Sequence, residues 1–556
     1  MKLRRGDGAA VAMVAGWYGL VWLIARPISH APVVDDWLYV TAARVLAATG
    51  RFRPAGFMQA EPVAQLIIGA AVGRLFGFSP QTFDIAGAAI GAAGAIFFYA
   101  LARRCGVGWT GAIAATALLL CNPCYTFLSF SFMTEVPFLA ALIGSNLAFA
   151  SGGGHRRANR FGSRGEWLGV ALAVIAFMIR PFAGAAIIAY AAVTIGYDAE
   201  LRAELRTASP RALARMAPFA AGFAACAAFW WWLMIAHQKP WALALHEYRL
   251  RNYFMLVPAR VYAEKWLLGP LLYLGFVLSP ITLIAAARRW RPVGAMAFAL
   301  FAVSAALCAR NDHAGWGLPQ VQCFAGWPGA LELHGMALQF GWRGGYRYAA
   351  LGLASVGAAA LCVIGAGTIP RLDRTAAAVM LTAAIYWAAA LPLWFFGDRY
   401  DLVMVPAGCL MLALAWRNVS RTAALVAAAL TLALGLGSAG GLRAYNRGTE
   451  AVMRERDLLL AQGIARSEID AGYGLDGADL YRYAACGIDQ QASEAGIPMV
   501  TSYAIAPYTI AGAPLDGTEI IERFSWPGPF GFGVRPLYVL KRVADSTGAA
   551  GRKSAP

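Results

Sequence analysis

Charge is what this chain has least of: only 14% of its 556 residues are Asp, Glu, Lys or Arg. Soluble globular chains carry about 25%. With 59% hydrophobic residues, the composition excludes an ordinary water-soluble domain and reads as a polytopic membrane protein. Acids are scarcer still, 30 against 47 Lys and Arg, for a net charge of +17. That excess does not point to nucleic acid. Basic residues fall in short connections between apolar runs, as at Arg103-Arg104, His155-Arg156-Arg157, Arg288-Arg289-Trp290-Arg291 and Arg371 with Arg374, where they set topology. A continuous basic stripe interleaved with aromatics is missing. Metal spacing is missing too. Among nine cysteines, Cys121 and Cys124 form a Cys-x-x-Cys at the end of an apolar run, with no His or Cys partners nearby, which argues against zinc and redox chemistry. Cys323 and Cys486 both fall in segments expected outside the cytoplasm, where a disulfide between them stays open. His237, His246, His313 and His334 show no ligand spacing and are read as surface histidines.

Long apolar runs are what the chain has instead. The first, from Ala9 to about Ile28, has the roughly 20 residues that a bilayer core demands. Lys2, Arg4 and Arg5 precede it, so the N-terminus is expected in the cytoplasm. The run is too long, and lacks the small-residue cleavage pattern, for a signal peptide, so it reads as a retained anchor. Two shorter helices are expected to lie in the outer interface. Trp37 to Thr49 carries Leu38, Ala42, Val45 and Leu46 on one face and ends at Gly50. Pro62 to Phe76 opens on a proline suited to a helix N-terminus.

Further spans are expected at Phe83–Ala102, Gly111–Cys121, Phe127–Ala150, Trp167–Ile179, Phe182–Gly196 and Met216–Ala236. Others follow at Trp266–Ala287, Val293–Ala309, Tyr348–Ile369, Ala376–Phe396, Leu402–Trp416 and Ala423–Gly441. With the first run that makes thirteen. Alternation then puts every strongly basic connection inside and the long loops outside, together with the tail. The tail changes composition: Glu450–Gln462 reads as an amphipathic helix stopped by Gly463, and Ile497–Ser502 and Leu537–Lys541 as strands. The expected division is a membrane domain over 1–441 and a small α/β domain over 442–556 on the outer face. No repeat of solenoid period is visible.

Three acidic or basic signals lie on that same outer side. The first is Val33-Val34-Asp35-Asp36-Trp37, a carboxylate pair just beyond the first span. The plain reading is that one of them caps the following helix; which of the two could do chemistry is not legible. The second is Phe132-Met133-Thr134-Glu135-Val136-Pro137, read as placing Glu135 about two turns inside the fourth span. An ionisable residue there is a functional candidate by default, the plain alternative being a pair with an arginine such as Arg180. The third is Gly397-Asp398-Arg399-Tyr400-Asp401. Arginine at this end has no topological job and suits two-point contacts with phosphate, against the alternative of a pair with Asp398 or Asp401. Arg51, Arg53, Arg180, Lys239, Arg249 and Arg251 add outer cations, a pattern that fits a lipid phosphate.

In their order and sidedness these features resemble the GT-C lipid-linked glycosyltransferases. These are an Asp-containing first outer loop, two interfacial helices, Met-Thr-acid-x-Pro at the fourth span and Arg-Tyr opening a late span. The nearest branch is similar to the bacterial protein O-mannosyltransferase and aminoarabinose-transferase family; Glu468-Ile469-Asp470-Ala471-Gly472-Tyr473 also resembles the tail of bacterial members. The resemblance implies an inverting transferase in the bacterial inner membrane. It would move a hexosyl or pentosyl group from a polyprenyl-phosphate donor to an envelope glycan, lipid or protein on the periplasmic side. On this sequence, Asp35 or Asp36 would be the base, Glu135 would position acceptor or sugar, and Arg399 with Arg53, Arg180 and Tyr400 would meet the donor phosphate. No cofactor is called for, and a divalent metal is left open. Two departures stand out. Glu61 precedes Pro62 where relatives often carry Lys, and the fourth-span acid is Glu rather than Asp. A transporter or flippase of lipid-linked sugars is the competing class. It would concentrate charges and broken helices at the bilayer midplane, whereas these charges gather at the outer interface.

Overall fold

The computed structural model describes residues 5–27, 32–33, 35–52, 62–152, 163–237, 268–287, 290–311, 333, 345–390, 398–416, 419–480, 506–527 and 534–543. Arg53, Glu61, Lys239, Arg249, Arg251, Cys323, Cys486, the loop histidines beyond His237 and the expected strand Ile497–Ser502 lie outside the described residues.

The chain is helical with a small sheet near its C-terminal end. In order the helices are α1 (Arg5–Ala25), α2 (Asp36–Thr49), α3 (Val63–Phe76), α4 (Pro80–Arg104), α5 (Trp109–Leu120), α6 (Pro123–Leu128) and α7 (Glu135–Gly152). Next come α8 (Arg164–Phe177), α9 (Gly184–Tyr197), α10 (Ala199–Arg206), α11 (Pro210–Trp231), α12 (Gly269–Val277), α13 (Ser279–Ala286) and α14 (Trp290–Asn311). The series ends with α15 (Gly345–Thr368), α16 (Arg374–Ala390), α17 (Asp398–Asp401), α18 (Val405–Ala415), α19 (Arg421–Ala461) and α20 (Tyr473–Leu480). Six helices among the described residues are long and apolar enough to cross a membrane, and α9 with α10 forms a further candidate bent by 97°. Several of the other expected spans coincide with shorter apolar helices, α5 and α16 among them. This is a multi-pass membrane protein.

The two interfacial helices stand where the periodicity puts them. Leu38, Ala42 and Ala43 of α2 are buried, and Gly50 closes the helix at φ 67°, its N–H donating to the Leu46 carbonyl. Glycine takes that left-handed angle without the steric penalty of a Cβ. The expected span Phe127–Ala150, in contrast, is not one helix. Asn122 caps α6 by accepting from the Tyr125 N–H at 3.0 Å, residues 129–134 leave the helical path, and α7 begins at Glu135. Glu135 is therefore the first residue of its helix rather than two turns inside. Pro137 carries the reason: proline fits a first turn, whose N–H groups have no intrahelical partner, and breaks an interior one.

Residues 129–134 are buried and held from three sides. Tyr18 of α1 donates to Ser129 Oγ at 3.0 Å. Gln65 of α3 donates to the Phe132 carbonyl at 2.6 Å. The Phe132 ring lies 4.6 Å from that of Phe83 on α4. The main core runs from α1 through α4, α5, α6 and α18.

The tail differs from its expected outline in one respect. The last expected span and the amphipathic helix Glu450–Gln462 form a single 41-residue helix, α19, so residue 441 falls inside it. Nothing between them breaks a helix, and the Gly440-Gly441 pair is buried against neighbours. The later half of α19 contributes Ala444, Val452 and Leu459 to a second core with Ile510, Phe524, Trp526, Leu537 and Val539. Those residues come from a four-stranded sheet of β1 (Ile469–Asp470), β2 (Tyr508–Ala511), β3 (Thr518–Pro527) and β4 (Val534–Arg542), in the order β1-β2-β4-β3. β1 runs parallel to β2 and the other pairs are antiparallel, with Tyr508 opposite Lys541 and Ile520 opposite Leu540. The expected strand Leu537–Lys541 lies within β4.

Helix α20 leans on α2. A Cβ on Gly477 would stand 2.2 Å from Cε2 of Trp37, whose side chain is 3% exposed. Asp476 anchors the same helix, accepting from Arg466 at 2.7 Å and from the Ala471 N–H at 3.0 Å. Gly477→Ala is expected to push Trp37 off its seat and destabilise the fold by about 1–3 kcal/mol. A lowered melting temperature of the purified chain would show it, while Ala478→Ser on the same helix serves as the control.

Candidate functional site

Four charged side chains from four separate elements meet above α7. Glu135 opens α7, where the helix dipole favours a carboxylate. Arg180 follows α8, its backbone N–H donating to the Ala176 carbonyl at 2.8 Å. Arg399 sits on α17, and Asp35 precedes α2. Arg180 Nη2 donates to Glu135 Oε1 at 2.5 Å and Arg180 Nε to Thr134 Oγ1 at 2.8 Å. Arg399 spans the two acids, with Nε 3.5 Å from Glu135 Oε1 and Nη1 3.6 Å from Asp35 Oδ2. Two positive and two negative groups make the cluster neutral.

Burial divides the acids. The Glu135 side chain is 2% exposed and that of Asp35 is 25% exposed. Glu135 is thus paired with Arg180, the plain alternative weighed for it above, and it holds Arg399 as well. Its second oxygen, Oε2, has no hydrogen-bond partner among the described residues. Tyr400 lies under both cations, with its ring 5.1 Å from the Arg180 guanidinium carbon and 5.4 Å from that of Arg399. A guanidinium over an aromatic face gains about 0.5–2 kcal/mol, and the backbone of Tyr400 is tied down by the Tyr386 hydroxyl at 3.1 Å.

The adjacent acids Asp35 and Asp36 are separated by their surroundings. Asp35 occupies the N-cap position of α2, yet its side chain makes no capping hydrogen bond. Instead it faces Arg399. Asp36 turns inward: its Oδ1 accepts from the Val33 N–H at 2.8 Å, which closes the loop before α2. It is 5% exposed. Burial pushes its carboxyl up to about 7, against the opposing pull of the Val33, Phe132 and Trp37 amides.

Two members of the cluster carry no signal that was read from sequence. Tyr39 is buried and feels the charges of Asp35, Glu135, Arg180 and Arg399; burial raises its phenol. It stands four residues after Asp35, the spacing that puts two side chains on one helix face, so it was findable. Thr134 was quoted only as part of a motif and holds Arg180. Arg53 lies outside the described residues. Among the described residues no group of three His, Cys, Asp or Glu is placed to hold a metal ion.

No protein-family description and no curated protein matches the chain. Solved structures similar in overall arrangement include ArnT from Cupriavidus metallidurans bound to undecaprenyl phosphate. It is 13% identical over 97% of this chain and 99% of that one, with a TM-score of 0.41. Another is the archaeal oligosaccharyltransferase AglB from Archaeoglobus fulgidus in complex with an inhibitory peptide and a dolichol-phosphate. It is 13% identical over 81% of this chain and 58% of that one, with a TM-score of 0.41. A third is the arabinosyltransferase EmbB from Mycobacterium smegmatis, 14% identical over 84% and 43%, with a TM-score of 0.34. Scores of this size assign no residue a role.

Glu135→Gln leaves two buried guanidinium groups short of a counter-charge. Breaking a buried pair from one side costs about 3–5 kcal/mol, so the variant is expected to melt well below wild type. Asp36 gives a pH signature. Its carboxyl is raised on folding, so between about pH 4 and 7 the unfolded chain has released a proton that the folded one keeps. Stability should fall as pH rises across that window, and Asp36→Asn should flatten this part of the curve in pH-resolved melting.

Proposed function

We propose that the chain is an integral membrane glycosyltransferase of the GT-C class. It moves a sugar from a polyprenyl-phosphate donor to an acceptor hydroxyl or phosphate on the periplasmic face of a bacterial inner membrane, with inversion. The N-terminus lies in the cytoplasm, residues 1–441 form the catalytic membrane domain, and residues 442–556 form a periplasmic one. The reading rests on the motif order at Asp35-Asp36, Met133-Thr134-Glu135-Val136-Pro137 and Arg399-Tyr400. One observation carries it furthest. Arg399 is bracketed by Asp35 at 3.6 Å and Glu135 at 3.5 Å, so a base, a cation and its support converge from distant parts of the chain.

Asp35 is the base in this scheme, being the accessible carboxylate of the pair. It takes the proton of an acceptor hydroxyl as that oxygen forms a bond to the anomeric carbon. The bond from that carbon to the phosphate oxygen breaks on the opposite face, and the electron pair leaves with the lipid phosphate. Arg399 and Arg180 meet the charge growing there, which a preorganised cation does without reorganising at the moment of reaction. Glu135 holds the two guanidinium groups at a fixed spacing. Tyr400 keeps their planes against one face.

The test is transfer of labelled sugar from polyprenyl-phosphate donors by membranes carrying matched amounts of each protein. Asp35→Asn should lower the rate by about 10²–10⁴-fold, the usual contribution of a positioned base. Asp36→Asn should transfer at nearly the wild-type rate. Undiminished transfer by Asp35→Asn would overturn the assignment of the base. Absence of transfer by wild type across hexosyl and pentosyl donors would overturn the enzyme reading itself.

A further inference from the structure

A second cation-lined recess lies where α1 ends. α1 finishes at Ala25, and Arg26 then adopts φ 45°. A non-glycine residue with that angle costs about 1–3 kcal/mol and persists only where its surroundings impose it. Here the imposing group is Asn446 of α19, 5% exposed, whose Nδ2 donates to the carbonyl oxygens of Ala25 at 3.2 Å and Arg26 at 3.4 Å. The bend opens a recess of about 360 Å³ between the two helices, within the range of small-molecule sites.

Its lining is sharply divided. Leu23 and Ile24 supply the apolar wall, with Leu23 77% exposed. Arg26, Arg443 and Arg447 supply three cations against the single carboxylate of Glu450. Arg447 reaches Glu450 only at 4.0 Å. Arg26 and Arg443 make no ion pair among the described residues. The recess sits where the apolar run of α1 stops, so the cations stand at the level of lipid headgroups with acyl-facing leucine beneath them. With the N-terminus inside, this is the outer end of α1, where topology gives arginine no role.

We propose that this recess binds the phosphate-bearing headgroup of an anionic membrane lipid. Three arginines line one recess, guanidinium forks suit phosphate, and the apolar wall receives the first methylenes of the chains. Asn446 is a positioning residue: it sets the Arg26 backbone and thereby shapes the recess. The inference rests on the membrane placement alone and is independent of sugar transfer, so it is tested without any donor.

The purified full chain is examined by native mass spectrometry after incubation with phosphatidylglycerol, with phosphatidylcholine, or with phosphatidylglycerol plus millimolar inorganic phosphate. Wild type should retain phosphatidylglycerol in preference to phosphatidylcholine and keep it in the presence of inorganic phosphate. Arg26→Ala and Arg443→Ala should each weaken retention roughly fivefold, the effect of about 1 kcal/mol per basic residue near a charged lipid surface. Glu450→Gln should strengthen it, a gain that a misfolded variant would not produce. Equal retention of the two lipids, or unchanged retention after both arginines are replaced, would overturn the proposal. Displacement by inorganic phosphate would also overturn it, in favour of a free-anion site.

Discussion

A carboxylate buried to 2% exposure beside apolar helices needs cationic partners, and Glu135 draws two. That requirement organises the site. Arg180 approaches from the end of α8 and Arg399 from α17, and guanidinium groups at such burial need carboxylate partners, which Glu135 supplies to both and Asp35 to Arg399. Because Glu135 opens α7, its position depends on where that helix begins, and so on residues 129–134. Tyr18, Gln65 and Phe83 fix that buried segment from α1, α3 and α4.

The division between Asp35 and Asp36 follows from the same packing. Two neighbouring carboxylates pointing into one cavity would repel and raise each other's proton affinity. The turn before α2 avoids this by sending one inward to the Val33 amide and leaving the other beside Arg399. Trp37 then locks the turn, because its ring fills the space that a side chain at position 477 would need. The small C-terminal sheet therefore bears on the site through α20, and α19 carries the load by running unbroken from the membrane helices into the core of that sheet.

Much of the frame was legible in the residues themselves. The limits of α2 and α3 are written in Gly50, Pro62 and the spacing of apolar side chains, all local signals. The start of α7 was misplaced because residues 127–134 form an apolar run that conceals a non-helical path over 129–134; Pro137 was the local cue that the helix opens near Glu135. The fused α19 was read as two pieces because its composition changes midway, although no residue there stops a helix. Tyr39 was passed over although its spacing from Asp35 places it on the same face.

Composition and apolar run length by themselves determined a multi-pass membrane protein, since so little charge leaves most segments no stable place in water. Their charge in apolar or outer-face surroundings also marked Asp35, Asp36, Glu135, Arg180 and Arg399 as residues needing a reason. Which acid faces which arginine was decided only by the tertiary structure. Ion pairs among residues far apart in the chain depend on helix ends meeting in space, and no local periodicity encodes that distance. The separate fates of Asp35 and Asp36 turn on a single backbone amide, that of Val33, and on the burial that packing brings to one of two chemically identical neighbours.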